Sequence, residues 1–389
     1  MKRVRIGLIG SGFVATLHMH AYRRVYGLEA EVRRVASTSP DVAAFARAHA
    51  IPKAGQDWRA LLRDPEIDVV DICTPPVLHA GMVVEALAAG KHVICEKPFT
   101  GYFGRPGDVA PIGRTVPKAT MYARVMEEMD RTCAAIRTSG RLFCYAEDWV
   151  YAPAVRKIAE ILAATGDRIL FMKGEESHSG SHAPHAAQWA ASGGGAVIRQ
   201  GCHPLSALLH LKAVEAAARG ETAMVRDVTC DVGVLTAGLD AREHAYIQAR
   251  PEDVEDWGTI TLSFADATKA TVFAGDMVLG GVRNLVEVYT TGGTLFGNMA
   301  PNNHVTTYLT DESRLGDVYF TEKVDRKTGW QFPCIDEEAT RGYLGEIQDF
   351  MECAAFGRQP LAGVELARQA IQVHYAAYLS AEEGRRVVL

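Results

Sequence analysis

The chain has 389 residues, of which 48% are apolar and 23% charged, with a formal net charge of −6. That length exceeds one ordinary core and implies two domains, while the charge gives no case for nucleic acid or an anionic membrane as partner. Apolar runs such as Val69–Cys73 are strand-length and far short of a bilayer span. The eight cysteines include no CxxC pair, so buried free thiols are expected rather than disulfides or a metal site. Met1–Ile6 runs straight into a strand without a signal-peptide core, which points to the cytoplasm.

The first third alternates short apolar strands with helices. Val4–Ile9 reads as a strand, Phe13–Tyr22 as a helix and Val32–Ser37 as a second strand; a helix opens at Pro40 and ends near His49. Helical Asp57–Leu62, strand Val69–Cys73, helix Leu78–Ala89 and strand His92–Cys95 follow. This rhythm predicts a parallel sheet with helices on both faces. Residues 99–118 are rich in Gly and Pro and lack a period, so they read as a long loop, a lid or an arm to a neighbouring subunit. Helix Met121–Ser139 and strand Leu142–Ala146 complete the domain.

The remainder has another texture. Helix Ala154–Ala164 precedes alternating strands at Thr259–Phe264, Thr268–Phe273 and Leu285–Tyr289, with a turn at 291–294, and helices at Tyr343–Phe356 and Val364–Glu382 close the chain. The fold class is therefore α/β: an N-terminal Rossmann doubly wound parallel sheet over 1–148, then an α+β domain over 149–389 with a large, mainly antiparallel sheet.

Gly10-Ser11-Gly12-Phe13-Val14-Ala15 fits G-x-G-x-x-A between a strand and a helix. Gly10 permits the tight turn, Gly12 lets a pyrophosphate approach the backbone, and the helix opening at Phe13 and Val14 offers N–H groups and a positive dipole end. NAD sites usually end the second strand in Asp or Glu. Here Ser37 and Thr38 stand instead, so the sequence leans toward NADP over NAD, although these hydroxyls can equally cap the next helix.

Asp71-Ile72-Cys73-Thr74-Pro75-Pro76, His79 and Gly90-Lys91-His92-Val93-Ile94-Cys95-Glu96-Lys97-Pro98 resemble the Gfo/Idh/MocA family of sugar and cyclitol dehydrogenases. Gly193-Gly194-Gly195-Ala196 and Gly201-Cys202-His203-Pro204 extend the likeness. The resemblance implies hydride transfer between NAD(P) and a secondary hydroxyl carbon of a sugar, sugar derivative or cyclitol. Lys97 and His203 would handle the hydroxyl proton, and Thr74, Pro75, His79, Glu96 and Lys97 would line the cofactor. It also implies a homodimer or homotetramer. A retained-cofactor enzyme that cleaves or epimerises glycosides by transient oxidation stays open, as does a non-catalytic nucleotide-binding regulator.

The chain departs from the family pattern at Arg199, where an Asp usually stands four residues before the histidine. Arg199 either binds a polar or anionic substrate or pairs with a carboxylate of its own chain. Trp149 and Tyr151 are further candidates for the substrate wall, as sugar-stacking aromatics or as interdomain packing. The cluster His178, His182, His185 contributes His182 and His185 as possible substrate contacts, with Gln188 and Trp189 beside them. Its irregular spacing and lack of an acidic ligand argue against metal.

Overall fold

The computed structural model describes residues 1–181, 183–300, 304–324 and 326–389. The chain divides into two compact units. The first comprises Met1–Tyr102, Ala123–Tyr151 and Gly342–Ile371; the second comprises Phe103–Tyr122, Ala152–Arg341 and Gln372–Leu389. These are not the two uninterrupted stretches 1–148 and 149–389 expected above. Packing explains the difference. Helix Tyr343–Phe356 lies against helix Phe13–Tyr22 and buries Ile347, Phe350 and Met351, which draws a late segment into the first unit. Residues 103–122 join the second unit, where Ile112 is buried and the Gly113 N–H donates to Asp253 Oδ2 at 2.9 Å. Two long helices, Lys118–Ser139 and Val364–Glu383, each contribute residues to both units.

In the first unit, strands β1 (Arg3–Ile9), β2 (Glu29–Ala36), β3 (Lys53–Gly55), β4 (Val69–Ile72), β5 (His92–Glu96) and β6 (Phe143–Ala146) form one sheet in the order β3-β2-β1-β4-β5-β6. Every pairing is parallel. All carboxyl ends therefore share one edge, and the order reverses between β1 and β4, where such sheets bind ligands. β4 and β6 are buried at every position, as expected for strands covered on both faces.

In the second unit, β7 (Ile169–Ser177), β8 (Val225–Gly233), β9 (Trp257–Phe264), β10 (Lys269–Gly275), β11 (Arg283–Thr290) and β12 (Thr294–Asn298) belong to a seven-stranded sheet. β13 (Thr307–Leu309) and β14 (Gly329–Gln331) pair separately, and β15 (Val387–Val388) completes the large sheet in the order β12-β11-β7-β10-β9-β8-β15. All its neighbours are antiparallel except β7 and β10. Helices Pro153–Thr165 and Cys202–Ala218 pack together, and the latter comes close to β7: a Cβ on Gly174 would lie 2.7 Å from Pro204 Cβ. No helix among the described residues is long and apolar enough to cross a membrane.

Candidate active site

The carboxyl edge of the parallel sheet gathers Gly10, Gly12, Ser37, Thr38, Thr74, Pro75, Glu96 and Lys97 at or just beyond the ends of β1, β2, β4 and β5. Gly10 has φ +111°, and a Cβ there would lie 2.3 Å from the Cys73 carbonyl oxygen, so only glycine fits this turn. Around Gly12 the space is open: a Cβ would meet nothing within 4 Å. The helix Phe13–Tyr22 has no side-chain cap, which leaves its first N–H groups to an incoming anion. Ala15 is fully buried, as close helix–sheet packing requires, and Val14 is half-buried. Phe13 stands 71% exposed, an apolar face beside the open turn. These features fit a dinucleotide.

At the end of β2 the Ser11 hydroxyl donates to Ser37 Oγ at 2.9 Å, and the Ser39 N–H donates to the same oxygen at 3.2 Å. Thr38 is exposed. The neighbouring guanidinium groups are engaged elsewhere: Arg33 with Glu31 and Glu66, Arg34 with Asp64 at 3.8 Å.

Thr74 is half-buried and Pro75 exposed, so both remain open to a ligand. Two expected cofactor contacts turn inward instead. His79 is fully buried, with Nδ1 2.9 Å from the Pro98 carbonyl and Nε2 2.8 Å from the Thr74 carbonyl. It ties the end of β4 to the segment after β5 and has no ring nitrogen left for a cofactor. Glu96 is also buried; its Oε2 accepts the Lys97 N–H at 3.0 Å. Its contacts hold the start of the loop that follows β5 rather than reaching toward a cofactor. Lys97, next in the chain, is half-buried.

Beneath this edge lies a polar cluster that the sequence did not disclose. His18, fully buried, places Nδ1 2.9 Å from Asp71 Oδ2 and Nε2 3.1 Å from Glu96 Oε1. Tyr22 donates its hydroxyl to Asp71 Oδ2 at 2.9 Å, and Cys73 Sγ lies 3.5 Å from both Asp71 Oδ1 and His18 Nδ1. Burial alone would strip the His18 proton, yet the surrounding negative charge lifts the imidazole well above its ordinary value. Burial pushes the Cys73 thiol up, so it stays protonated. His18, Asp71 and Cys73 also have the spacing of metal ligands, but the hydrogen bonds already occupy both ring nitrogens.

Glu346 approaches the same ring at 3.8 Å, and neither of its oxygens has a hydrogen-bond partner. Burial, reinforced by the nearby acids Glu96, Asp148 and Glu147, raises its carboxyl well above the usual range against the opposing pull of His18. A folded state that keeps this proton loses about 1.4 kcal/mol of stability per pH unit between the ordinary carboxylate value and the folded one. Glu346→Gln, which cannot ionise, is therefore expected to melt near the wild type at pH 5 and above it at pH 8. Calorimetry at the two pH values measures this, and an equal difference at both would contradict a protonated Glu346.

In the second unit, His203 is the second residue of helix Cys202–Ala218; it is buried, with Nε2 3.8 Å from Glu176 Oε2. Arg199 is paired with Asp276, the alternative in which it meets a carboxylate of its own chain. The Gln200 amide nitrogen donates to Asp276 Oδ1 at 2.6 Å and lies 2.7 Å from His178 Nε2. Arg199 and Asp276 help line a cavity of about 300 Å³ with Ser181, Ala183 and Glu252. His185 is exposed, with its proton affinity lowered by partial burial and by Arg199; His182 lies outside the described residues.

The run Gly193–Gly195, which leads to Arg199 and His203, is fixed by Glu255. This buried carboxylate accepts N–H groups from Gly195 at 3.0 Å and Val197 at 2.9 Å, and the Tyr378 hydroxyl at 2.8 Å. A Cβ on Gly195 would lie 1.9 Å from the Glu255 carbonyl oxygen.

The aromatic candidates are core rather than wall. Trp149 is fully buried. Tyr151 donates its hydroxyl to Asp349 Oδ2 at 2.8 Å, accepts the Ala362 N–H at 3.0 Å, and meets Phe350 edge-on. Trp189 is buried against Tyr378, with the Lys118 ammonium 4.6 Å above its ring, while Gln188 donates to Glu252. The loop 99–118 contains a short helix, Ile112–Thr115, that packs on the helical turn Trp189–Ser192.

A family model for the Gfo/Idh/MocA "Oxidoreductase family, NAD-binding Rossmann fold" matches residues 4–118, and that family's C-terminal domain model matches residues 167–296. Together they span more than half of the chain. Levoglucosan dehydrogenase from Pseudarthrobacter phenanthrenivorans is 42% identical over 105 residues, 25% of this chain and 27% of the relative. Trans-1,2-dihydrobenzene-1,2-diol dehydrogenase from Bos taurus is 30% identical over 194 residues, 49% of this chain and 50% of the relative. The matches to these relatives thus span a quarter to a half of their lengths. Among solved structures, GenD2 from gentamicin A biosynthesis in complex with NAD superposes with a TM-score of 0.79 at 20% identity, covering 100% of this chain and 97% of the other. Levoglucosan dehydrogenase in complex with NADH and levoglucosan does so at 0.74 and 20%, covering 100% and 99%. At these identities the likeness is one of fold.

Proposed function

The chain belongs to the Gfo/Idh/MocA family of oxidoreductases, and on that premise we propose that it moves hydride to or from a secondary hydroxyl carbon of a sugar, sugar derivative or cyclitol. The observation that carries this reading is the edge of the parallel sheet: an open glycine turn at an uncapped helix N-terminus, with Lys97 at the end of β5 on the same edge. The nicotinamide supplies the two-electron chemistry when bound. Gly10, Gly12 and the first N–H groups of helix Phe13–Tyr22 would hold the pyrophosphate, with Thr74 and Pro75 beside the ribose and nicotinamide. By the family resemblance, Lys97 would take the hydroxyl proton as the alcohol is oxidised and return it on reduction, and His203 would hydrogen-bond the substrate hydroxyl. The relatives' printed names, levoglucosan dehydrogenase and D-apiose dehydrogenase among them, suggest a carbohydrate or polyol as substrate.

The test is nicotinamide absorbance with a panel of polyols and glycosides and either cofactor. Continuous accumulation of reduced cofactor supports the reading. A burst limited to one equivalent of enzyme points to a retained cofactor, and nucleotide binding without turnover of any compound points to a regulator.

We further propose that NADP is taken in preference to NAD, because Ser37 and Thr38 leave room and hydroxyls where a carboxylate would repel a 2′-phosphate. Ser37→Asp is expected to weaken NADP binding at least about tenfold and to spare NAD, since like charges in contact cost several kcal/mol. Titration with both cofactors decides it; equal losses for the two would sink the preference.

The second unit also supports self-association. On one face of its sheet Phe171 and Tyr289 stack at 6.0 Å, and Tyr289 meets Phe296, which is 70% exposed. This exposed aromatic cluster, with the Lys173–Glu287 ion pair beside it, favours a homodimer or homotetramer. Phe296→Glu is expected to shift the mass measured by light scattering toward the monomer, and an unchanged mass would speak against this face. The eight free cysteines fit a reducing compartment, the cytoplasm.

A further inference from the structure

We propose that His18 is a positioning residue: a permanently doubly protonated imidazole that bridges Asp71 and Glu96 and holds the Glu96 carboxylate against the backbone of Lys97. The proposal rests on the hydride-transfer reading for its kinetic consequence and on the geometry alone for the state of the ring.

Both ring nitrogens face carboxylate oxygens, at 2.9 and 3.1 Å, so a neutral ring would leave one nitrogen lone pair against an acceptor. Only the imidazolium donates to both. The carboxylate of Glu96 is then fixed at each oxygen, by His18 at Oε1 and by the Lys97 N–H at Oε2. Asp71 is likewise fixed by His18 and Tyr22. The groups facing the ring come from four elements: Asp71 and Cys73 from β4 and its end, Glu96 from β5, Tyr22 from the ring's own helix, and Glu346 and Tyr343 from helix Tyr343–Phe356, with Glu147 and Asp148 acting on Glu346. Among these, His18 is the one cation facing several buried acids. Its charge sits between Asp71 and Glu96 and offsets part of their negative field where Lys97 begins.

His18 touches neither substrate nor cofactor, so its effect reaches the reaction through Glu96. Removing its charge leaves the surroundings of Lys97 more negative, and the ammonium keeps its proton to higher pH. In alcohol oxidation the limb where rate rises with pH then moves up by about one unit, and the rate at pH 7 falls about tenfold.

Two measurements on the full chain test this. In the first, histidine labelled with nitrogen-15 is followed by NMR from pH 6 to 9, with the His18 signal identified by its loss in His18→Gln. Both ring nitrogens protonated throughout is the expected result, and a neutral tautomer anywhere in the range overturns the proposal. This arm needs no known substrate, so it stands even if the wild type turns over no alcohol. In the second, the pH profile of His18→Gln is compared with the wild type on whichever alcohol the wild type oxidises. An upward shift of the rising limb supports the proposal. A loss of melting temperature with an unmoved limb is the signature of a merely structural residue and overturns it.

Discussion

Replacing Lys97 with methionine is expected to lower turnover about 10³-fold, while the dissociation constant for the oxidised cofactor moves by no more than about threefold. Methionine keeps the length and much of the apolar stem but cannot accept or return a proton. The glycine turn at Gly10 and Gly12 and the uncapped helix behind it do not depend on the Lys97 ammonium, so cofactor binding survives. Steady-state kinetics beside fluorescence titration of the cofactor separates the two effects. Turnover within tenfold of the wild type would mean that another group moves the hydroxyl proton; a parallel collapse of cofactor affinity would mean that Lys97 mainly holds the dinucleotide.

The second large effect is expected at Glu255. Glu255→Ala leaves two buried backbone N–H groups and the Tyr378 hydroxyl without their acceptor, at a cost of about 3–5 kcal/mol. Glu255→Gln keeps one acceptor oxygen and is expected to recover part of that loss. Denaturant unfolding gives the stability. Kinetics adds a second readout, because the turn that Glu255 pins is the one leading to Arg199 and His203. A Glu255→Ala chain as stable as the wild type would show that water or a local shift replaces the carboxylate. A chain that folds but has lost turnover would show the turn to be needed for catalysis as well as for stability.

Much of the first unit was legible because its strands are short apolar runs between turn residues and its helices carry a clear period. Helix Phe13–Tyr22 was read with its observed bounds, and so was Tyr343–Phe356. Helix Cys202–Ala218 was not found as an element. Every position from Cys202 to Lys212 is buried, so this stretch has no polar face and leaves no amphipathic period to read. β7 escaped for the opposite reason: its end, Gly174-Glu175-Glu176-Ser177, looks like a loop until Arg283 on β11 meets Glu175.

The candidate site divides along a similar line. Residues whose role follows from local backbone, such as Gly10 and Gly12, could be named from spacing. Residues whose role follows from partners distant in sequence could not. His18 is 53 residues from Asp71 and 78 from Glu96, and Glu255 is 60 from Gly195. His79 and Tyr151 show the converse: each stands in a telling stretch of sequence, but the stretch does not say which way the side chain points. The signal that could have singled out His18 was its place between Ala15 and Tyr22 on the core-facing stripe of its helix, where a histidine needs buried partners.

The interleaving of segments has a consequence for how the chain is made. Helix Tyr343–Phe356, which covers Phe13–Tyr22 and brings Glu346 to His18, leaves the ribosome well after the strands of the parallel sheet. Until then the parallel sheet has its strands but lacks one of its covering helices, and His18 lacks one of its neighbours. The amino-terminal half must therefore wait, partly assembled and with apolar surface uncovered, while some two hundred intervening residues are synthesised. This order of synthesis disfavours strictly sequential, domain-by-domain folding of the two units.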